Sequence, residues 1–369
     1  MSWIANWLSQ AQQAKAADMV IEDTLSNLLH RSNLLDDYLP FKTYSSPKFL
    51  AYVMERINTV ASVIAYGTEA PATQHGTFRP ISAELLKTGL QYVYDEQKMW
   101  DMKEAMENAA LKGIQVSDMV GPRGEYIKGS NNDLARYLFG TIEQIANAQV
   151  ELLNVFTWQL LQTGKISRTD PRTGVTVDID YRNPHDISYN HYPAALTGGS
   201  AWNQLSTANG IQDLMNDVDT FADTNGFPPD KIIMSRKLYN DLIQQQATKD
   251  AASSMTVTQV GTVSPEMLDT ALDRRGIPPI IRFDEMYQDE LINKTSTKVR
   301  FLNDNRYVFI CENMGERAMG PTLENDGQTG IYVVTQEIKK HPPVDATIGV
   351  ASILPVVPDP KLLFSRQAK

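Results

Sequence analysis

Between Asn131 and Gly164 the apolar positions fall at Leu134, Leu138, Ile142, Ile145, Ala148, Leu152, Phe156 and Leu160, in steps of three and four. That spacing lines up one apolar face on a single long helix, with Leu138, Ile145, Leu152 and Phe156 on its core side. Asn131, Asn132 and Asp133 offer side-chain oxygens to the free amides at its start. Gly164 can take the left-handed conformation that ends a helix. A helix over 131–164 would be about 50 Å long. Such a helix acts as a beam that carries sheets and loops, although a long core helix in any α+β protein fits the same pattern. The segments around it decide.

Ahead of the helix, Trp3, Ile4, Trp7 and Leu8, then Leu25, Leu28 and Leu29, sit at helical spacing. Residues 33–47 read as extended, with Tyr38, Leu39, Pro40, Phe41 and Tyr44 available to pack on something. An aromatic arm before any fold begins is expected to strap onto a neighbouring subunit; packing on its own domain is the plainer alternative. Residues 59–95 read as a long two-stranded loop. The outgoing strand is placed at Thr59–Thr68 and the returning strand at about Ile81–Tyr94, where Leu90, Tyr92 and Tyr94 alternate. The tip from Glu69 to Pro80, which includes His75, Phe78 and Arg79, is polar and broken by two prolines and a glycine. Two strands alone are marginal in water, so another copy of the chain is the simplest support.

Glu96 to Leu111 returns to helix, with Met99, Met102 and Met106 as core filler. After the long helix, Lys165 to Tyr181 reads as a hairpin turning at Asp170-Pro171-Arg172-Thr173-Gly174. From 209 to 285 helices and short strands alternate. Ile211, Leu214, Met215, Val218 and Phe221 mark a helix that ends at Asn225-Gly226, Lys231–Met234 is a buried strand, and Ser235 and Ser264-Pro265 open further helices. Strands follow on either side of Asn303-Asp304-Asn305, then at Ile331–Lys339 and Ala346–Val357, divided by His341-Pro342-Pro343.

At 369 residues the chain is long enough for two or more lobes. Its formal charge of −10, from 44 acidic and 34 basic residues, excludes tight wrapping of nucleic acid by phosphate contacts. It remains compatible with a surface that lies near DNA without sticking to it. Cys311 is the one cysteine, so no internal disulfide forms, as in a protein used in a reducing cytosol. Met1 to Leu8 lacks the features of a secretory signal, and no apolar run has the length to cross a membrane.

Catalytic signatures are missing. Gly164-Lys165 lacks the upstream glycine and the following hydroxyl of a phosphate loop, and no GxGxxG, HExxH, CxxC or GxSxG occurs. Asp217, Asp219 and Asp223 mimic a calcium loop until Phe221 breaks the ligand order, which leaves a polar helix face. His185, Asp186 and His191 offer a metal or acid–base site without a third ligand at matching spacing. Cys311, after Val308-Phe309-Ile310, reads as a small buried residue. No catalytic, metal or cofactor site is expected.

The order of parts resembles the major capsid proteins of tailed bacteriophages, the HK97-like fold, and within it the lambda-like capsid protein E family. The likeness lies in the arm, the loop at Thr59–Tyr94, the helix at Asn131–Gly164, and the hairpin running through Val177-Asp-Ile-Asp-Tyr181 towards Trp202. It continues in Gly226-Phe-Pro-Pro-Asp-Lys-Ile-Ile-Met-Ser235, Gly320-Pro-Thr-Leu-Glu324, Pro342-Pro343 and Leu354-Pro-Val-Val-Pro-Asp-Pro360. The resemblance implies an arm over 1–58, an extended loop over 59–95 and a peripheral domain over 96–182 containing the spine helix. An axial domain over 183–330 and return strands over 331–369 complete it.

It implies a shell subunit forming pentamers and hexamers around double-stranded DNA, without sequence-specific binding, in a virion assembled in the host cytoplasm. Portal, scaffold and decoration proteins are the implied partners. No long scaffolding segment stands ahead of the arm, so a separate scaffold or none is expected. The arm and loop residues Trp3, Trp7, Tyr38, Phe41, Glu69, His75, Phe78, Arg79 and Lys87 are the implied contacts between subunits. Some relatives cross-link this loop through Lys and Asn; Lys87 lacks a matching context, so that chemistry is not carried over. An encapsulin-like compartment with protein cargo and a soluble metal-dependent enzyme are the rival readings.

Overall fold

The computed structural model describes residues 34–46, 48–54, 78–101, 104, 133–169, 174–181, 201–253, 262–290, 296–340 and 343–368, with backbone alone at 48–54, 78–84, 133–140, 289–290, 296–297 and 340. In chain order, a tight turn (Leu39 N to Leu35 O, 2.7 Å) leads into β1 (Phe41–Thr43), β2 (Lys48–Met54), β3 (Phe78–Glu84) and β4 (Leu86–Tyr94). The helix α1 (Asp133–Thr163) is followed by the hairpin β5 (Lys165–Thr169) and β6 (Thr176–Asp180). Next come α2 (Gly210–Asn225), β7 (Lys231–Met234), α3 (Arg236–Gln244), α4 (Gln246–Ser253), α5 (Pro265–Asp273) and β8 (Ile280–Arg282). Strands β9 (Met286–Glu290), β10 (Ser296–Arg300), β11 (Arg306–Ile310), β12 (Glu316–Gly320), β13 (Tyr332–Lys340), β14 (Pro343–Val356) and β15 (Phe364–Gln367) complete the fold.

The main sheet is built on β14. Its first half pairs antiparallel with β13, its last residues pair with β12, and β4 runs along the opposite edge from Asp345 to Ile353. β1 adds to β12 in parallel. α1 lies across this sheet, and Gly349 permits the approach: a Cβ there would fall 1.9 Å from Ile145 Cγ2. Gln149 bridges the layers, accepting from Thr88 on β4 and reaching the Gly349 carbonyl. Ile142, Ile145, Val150, Leu153, Phe156 and Leu160 are buried.

Towards its C-terminal end α1 is enclosed on more than one side. Trp158, Thr157 and Leu161 are buried beside Phe156 and Leu160. Trp158 stacks on Phe283 at 4.4 Å, and Phe301 and Tyr287 extend the aromatic run to the β9–β10 hairpin. Gln162 holds this corner: its amide nitrogen donates to the Trp158 and Phe301 carbonyls and its oxygen accepts from Asn303 N.

The lobe has a sheet in the order β15-β11-β7-β8 packed with α2, α3, α4 and α5. Its helices start and stop where their sequences dictate. Ser235 accepts from Leu238 N, Ser264 accepts from Met267 N with Pro265 in the first turn, and Gly226 ends α2 at φ 80°. β5 and β6 pair as the expected hairpin.

Several expectations are corrected. The strand opposite the returning ribbon strand is Lys48–Met54, not Thr59–Thr68; the latter lies outside the described residues. The returning run breaks at Leu85, which is buried against Gly320, and beyond it β4 joins the main sheet. The ribbon therefore begins before residue 59 and ends before 95. Residues 34–39 form a turn rather than an extended arm. β12 pairs with β14 in the main sheet, so the span 183–330 expected of one domain is divided between two sheets. β15 belongs to the lobe sheet, where Phe364 stacks on Phe309 at 4.6 Å, so residues 331–369 do not all return to the peripheral region.

Candidate assembly surfaces

The β2–β3 ribbon pairs through seven residues on each strand, from Lys48 opposite Glu84 to Met54 opposite Phe78. Among the described residues it joins no other strand. Phe78 and Arg79 lie on β3, while Glu69 and His75 at the tip, and Trp3 and Trp7 of the arm, lie outside the described residues. Lys87 stands exposed at the start of β4 and ion-pairs with Glu324 in the turn between β12 and β13. The hydrogen bond from Lys87 holds the Glu324 carboxyl below the usual carboxylate range.

Two residues expected at contacts between subunits pack within the subunit, Tyr38 in its core and Phe41 against β12. Tyr38 is buried with Leu35 and Leu39 in a core shared with Val155, Ile233, Met314 and Val357. Phe41 is half-buried under the Arg317 guanidinium, whose carbon lies 3.8 Å from the ring centroid. The reason is β12: with Arg317 and an edge amide ladder to satisfy, it draws the aromatic segment onto itself. Phe41 and Lys87 are thus not brought together; β1 lies beyond β12 and β4 on the other edge of β14.

Of the proposed helix-face residues, Ile145 and Phe156 are buried, Leu152 is partly buried against the core, and Leu138 falls where the backbone alone is described.

The turn after β12 entered the sequence analysis only through Gly320-Pro-Thr-Leu-Glu324, with no role given to Leu323. Residues from Thr322 to Gln328 close it with backbone hydrogen bonds of 2.8–3.4 Å, and Asp326 and Gly327 adopt left-handed backbone. Leu323 is 92% exposed at its crest. A large apolar side chain held in water by a rigid turn is a feature of contact anchors. The Gly-Pro start and the Asn-Asp-Gly run signalled a turn, but nothing in the sequence showed which way Leu323 points.

The lobe interior carries charge that the sequence also hid. Asp217 accepts from the Tyr307 hydroxyl and pairs with Arg366, and Asp213 accepts from Trp202 Nε1. Burial pushes the Asp217 carboxyl up to about 6, against the opposing pull of Tyr307 and Arg366. This occupies Asp217 structurally and removes it from any calcium loop. Cys311 is buried and its thiol is pushed up to about 12 by desolvation. The His185–His191 loop lies outside the described residues. Among the described residues no group of three or more His, Cys, Asp or Glu is placed to hold a metal, and no helix is long and apolar enough to cross a membrane.

The family described as phage major capsid protein E matches residues 129–368, about two thirds of the chain, from the start of α1 to the end of β15. The chain belongs to the phage major capsid protein E family. This capsid protein is a structural component of a virion, and its fold is HK97-like. It is similar to a prophage capsid protein from E. coli CFT073, at 12% identity and a TM-score of 0.55, over 94% of this chain and 98% of that one. A phage-related protein from Bordetella bronchiseptica RB50 aligns at 11% identity and a TM-score of 0.47, over 96% of each chain. The satellite phage P4 procapsid, whose structure includes a size determination protein, aligns at 12% identity and a TM-score of 0.45, over 94% of this chain and 99% of that one. No curated protein sequence matches the chain.

Proposed function

We propose that the chain assembles as pentamers and hexamers into an icosahedral shell around double-stranded phage DNA, in the host cytoplasm. The observation that carries this reading is the β2–β3 ribbon. It pairs only with itself among the described residues, and two strands alone are marginal in water. A second copy of the chain supplies the missing surface. The contact energy of the shell is spread over several such elements rather than one site, and closed symmetry repeats the same contacts around each axis.

In this reading α1 and the main sheet form the peripheral domain and the lobe on β7 and β11 forms the axial domain. The N-terminal arm, expected over residues 1–58 but ending where β2 begins, straps onto a neighbouring subunit. The net charge of −10 keeps the wall from adsorbing the DNA it confines. Portal, scaffold and decoration proteins are the partners.

Deleting Glu69 to Pro80 tests it. The variant subunit is expected to keep its thermal unfolding and to lose shells in negative-stain electron microscopy and sedimentation; normal particles would overturn the proposal. Nuclease-protected DNA inside wild-type particles, rather than a protein cargo, separates the phage shell from an encapsulin-like compartment.

A further inference from the structure

We infer that Arg317 is a positioning residue that rivets the root of the N-terminal arm to the body of the subunit and ties that root to the lobe. The inference rests on the proposed shell and on the arm's role within it.

Arg317 is fully buried, 281 residues along the chain from Asp36, the acid it pairs with. Its guanidinium spreads over three neighbours. Nε donates to the Leu39 carbonyl at 2.8 Å, one terminal nitrogen donates to Asn154 Oδ1 of α1 at 3.0 Å, and the other donates to Asp36. The Phe41 ring closes the fourth side. A planar fork with five N–H groups can make these bonds at once, which a lysine cannot. The backbone adds to the same seam: Arg317 N donates to Pro40 O at 2.9 Å, Tyr44 N donates to Met319 O at 2.8 Å, and Lys42 pairs with Glu316 at 2.9 Å. Gly315 is required beside it, because a Cβ there would meet the Val356 carbonyl at 2.3 Å and Leu39 Cδ2 at 3.2 Å.

The same segment also touches the lobe. Lys231 of β7 stands 5.4 Å from the centre of the Tyr38 ring. Leu35, Tyr38 and Leu39 share one core with Val155 of α1 and Ile233 of β7. Residues 35–44 therefore pair with the main sheet, touch the lobe sheet at Lys231 and reach α1 through Arg317 and the shared core. Any force on the arm reaches all three through this strap, and any tilt of the lobe moves the arm's exit.

Removing Asp36 leaves the buried Arg317 guanidinium without its counter-ion, removing Arg317 takes from the strap its bonds to Leu39 and Asp36, and in both cases the strap opens. A fixed exit becomes a pivot, and the arm's effective concentration at its neighbour falls. Subunits then join at a wider range of angles. The consequence is read in particle size, not only in yield.

The test compares Arg317→Met, Asp36→Asn and Arg317→Lys with Leu214→Ala, a lobe-core variant that leaves the strap untouched. Limited proteolysis of the unassembled subunit within residues 34–47 reads the strap. Electron microscopy of assembled material reads particle diameter. The Met and Asn variants are expected to be cut at least about tenfold faster in the strap and to give few or misshapen particles. The Lys variant, which keeps the ionic partner but not the fork, falls between them and wild type. Leu214→Ala lowers thermal stability while leaving diameter and strap protection unchanged. Wild-type strap protection in both Arg317→Met and Asp36→Asn overturns the rivet, as do wild-type diameters from subunits whose strap is open. Failure of the wild-type chain to form particles at all defeats the shell reading and the positioning role with it, while the proteolysis still reports whether Arg317 holds the strap.

Discussion

Tyr307 donates its hydroxyl to Asp217 inside the lobe core, joining strand β11 to helix α2 where neither group meets water. Arg366 of β15 pairs with the other carboxylate oxygen. Burial dominates, so the Asp217 carboxyl ionises near 6, above its ordinary 3.8, and the nearby Asp213 pushes the same way. A carboxyl raised on folding contributes stability that is complete below about pH 4 and is lost as pH climbs through about 6. The size is about 3 kcal/mol. The thermal midpoint of wild type minus that of Asp217→Asn should be largest near pH 4 and shrink towards pH 7. A difference flat across that window would show that Asp217 ionises as it does in water.

Gly349→Ala should destabilise the subunit by about 1–3 kcal/mol, since the new methyl collides with Ile145 where α1 crosses β14. Truncating the obstructing side chain should relieve the collision. In denaturant titrations the double variant Gly349→Ala with Ile145→Ala should lose less than the two single losses combined. Simple additivity would mean that the helix shifts freely over the sheet.

Leu153→Asp should prevent accumulation of folded subunit, because it buries a charge at a position with no access to water. Leu152→Asp should be milder, since Leu152 is only partly buried. Soluble yield and circular dichroism of the two variants give the order; the reverse order would place the core face of α1 as its apolar spacing alone does.

Leu323→Glu should leave unfolding free energy within about 0.5 kcal/mol of wild type, since the side chain touches little in the subunit. Its effect should appear in the yield of shells, because a charge replaces the apolar crest of a rigid turn. Sedimentation and a denaturation curve on the same preparation separate the two. A normal shell yield would show that this turn faces solvent in the particle.

Local signals were read well where the cause is local. Ser235, Ser264-Pro265 and Gly226 bound their helices because capping depends on a few neighbouring residues. The length of α1 and the β5–β6 hairpin followed from period and turn chemistry in the same way. Placement that depends on distant partners was not legible. Tyr38 looked like an arm residue until Arg317 drew its segment inward, and Thr59–Thr68 looked like a strand because no local rule favoured Lys48–Met54 over it. Leu153 and Trp158 fall outside the apolar stripe of α1 yet are buried; Trp158 is covered by Phe283, on a side of the helix that periodicity cannot report. The Asp217–Tyr307–Arg366 contact joins three elements spread over much of the chain, and acidic residues on α2 gave no sign of it.

The strand at the centre of the main sheet, β14, and the outer strand of the lobe sheet, β15, both come from the last 27 residues of the 369-residue chain. Both sheets are therefore closed by one contiguous segment, residues 343–367, and a cut within it would unlace them together.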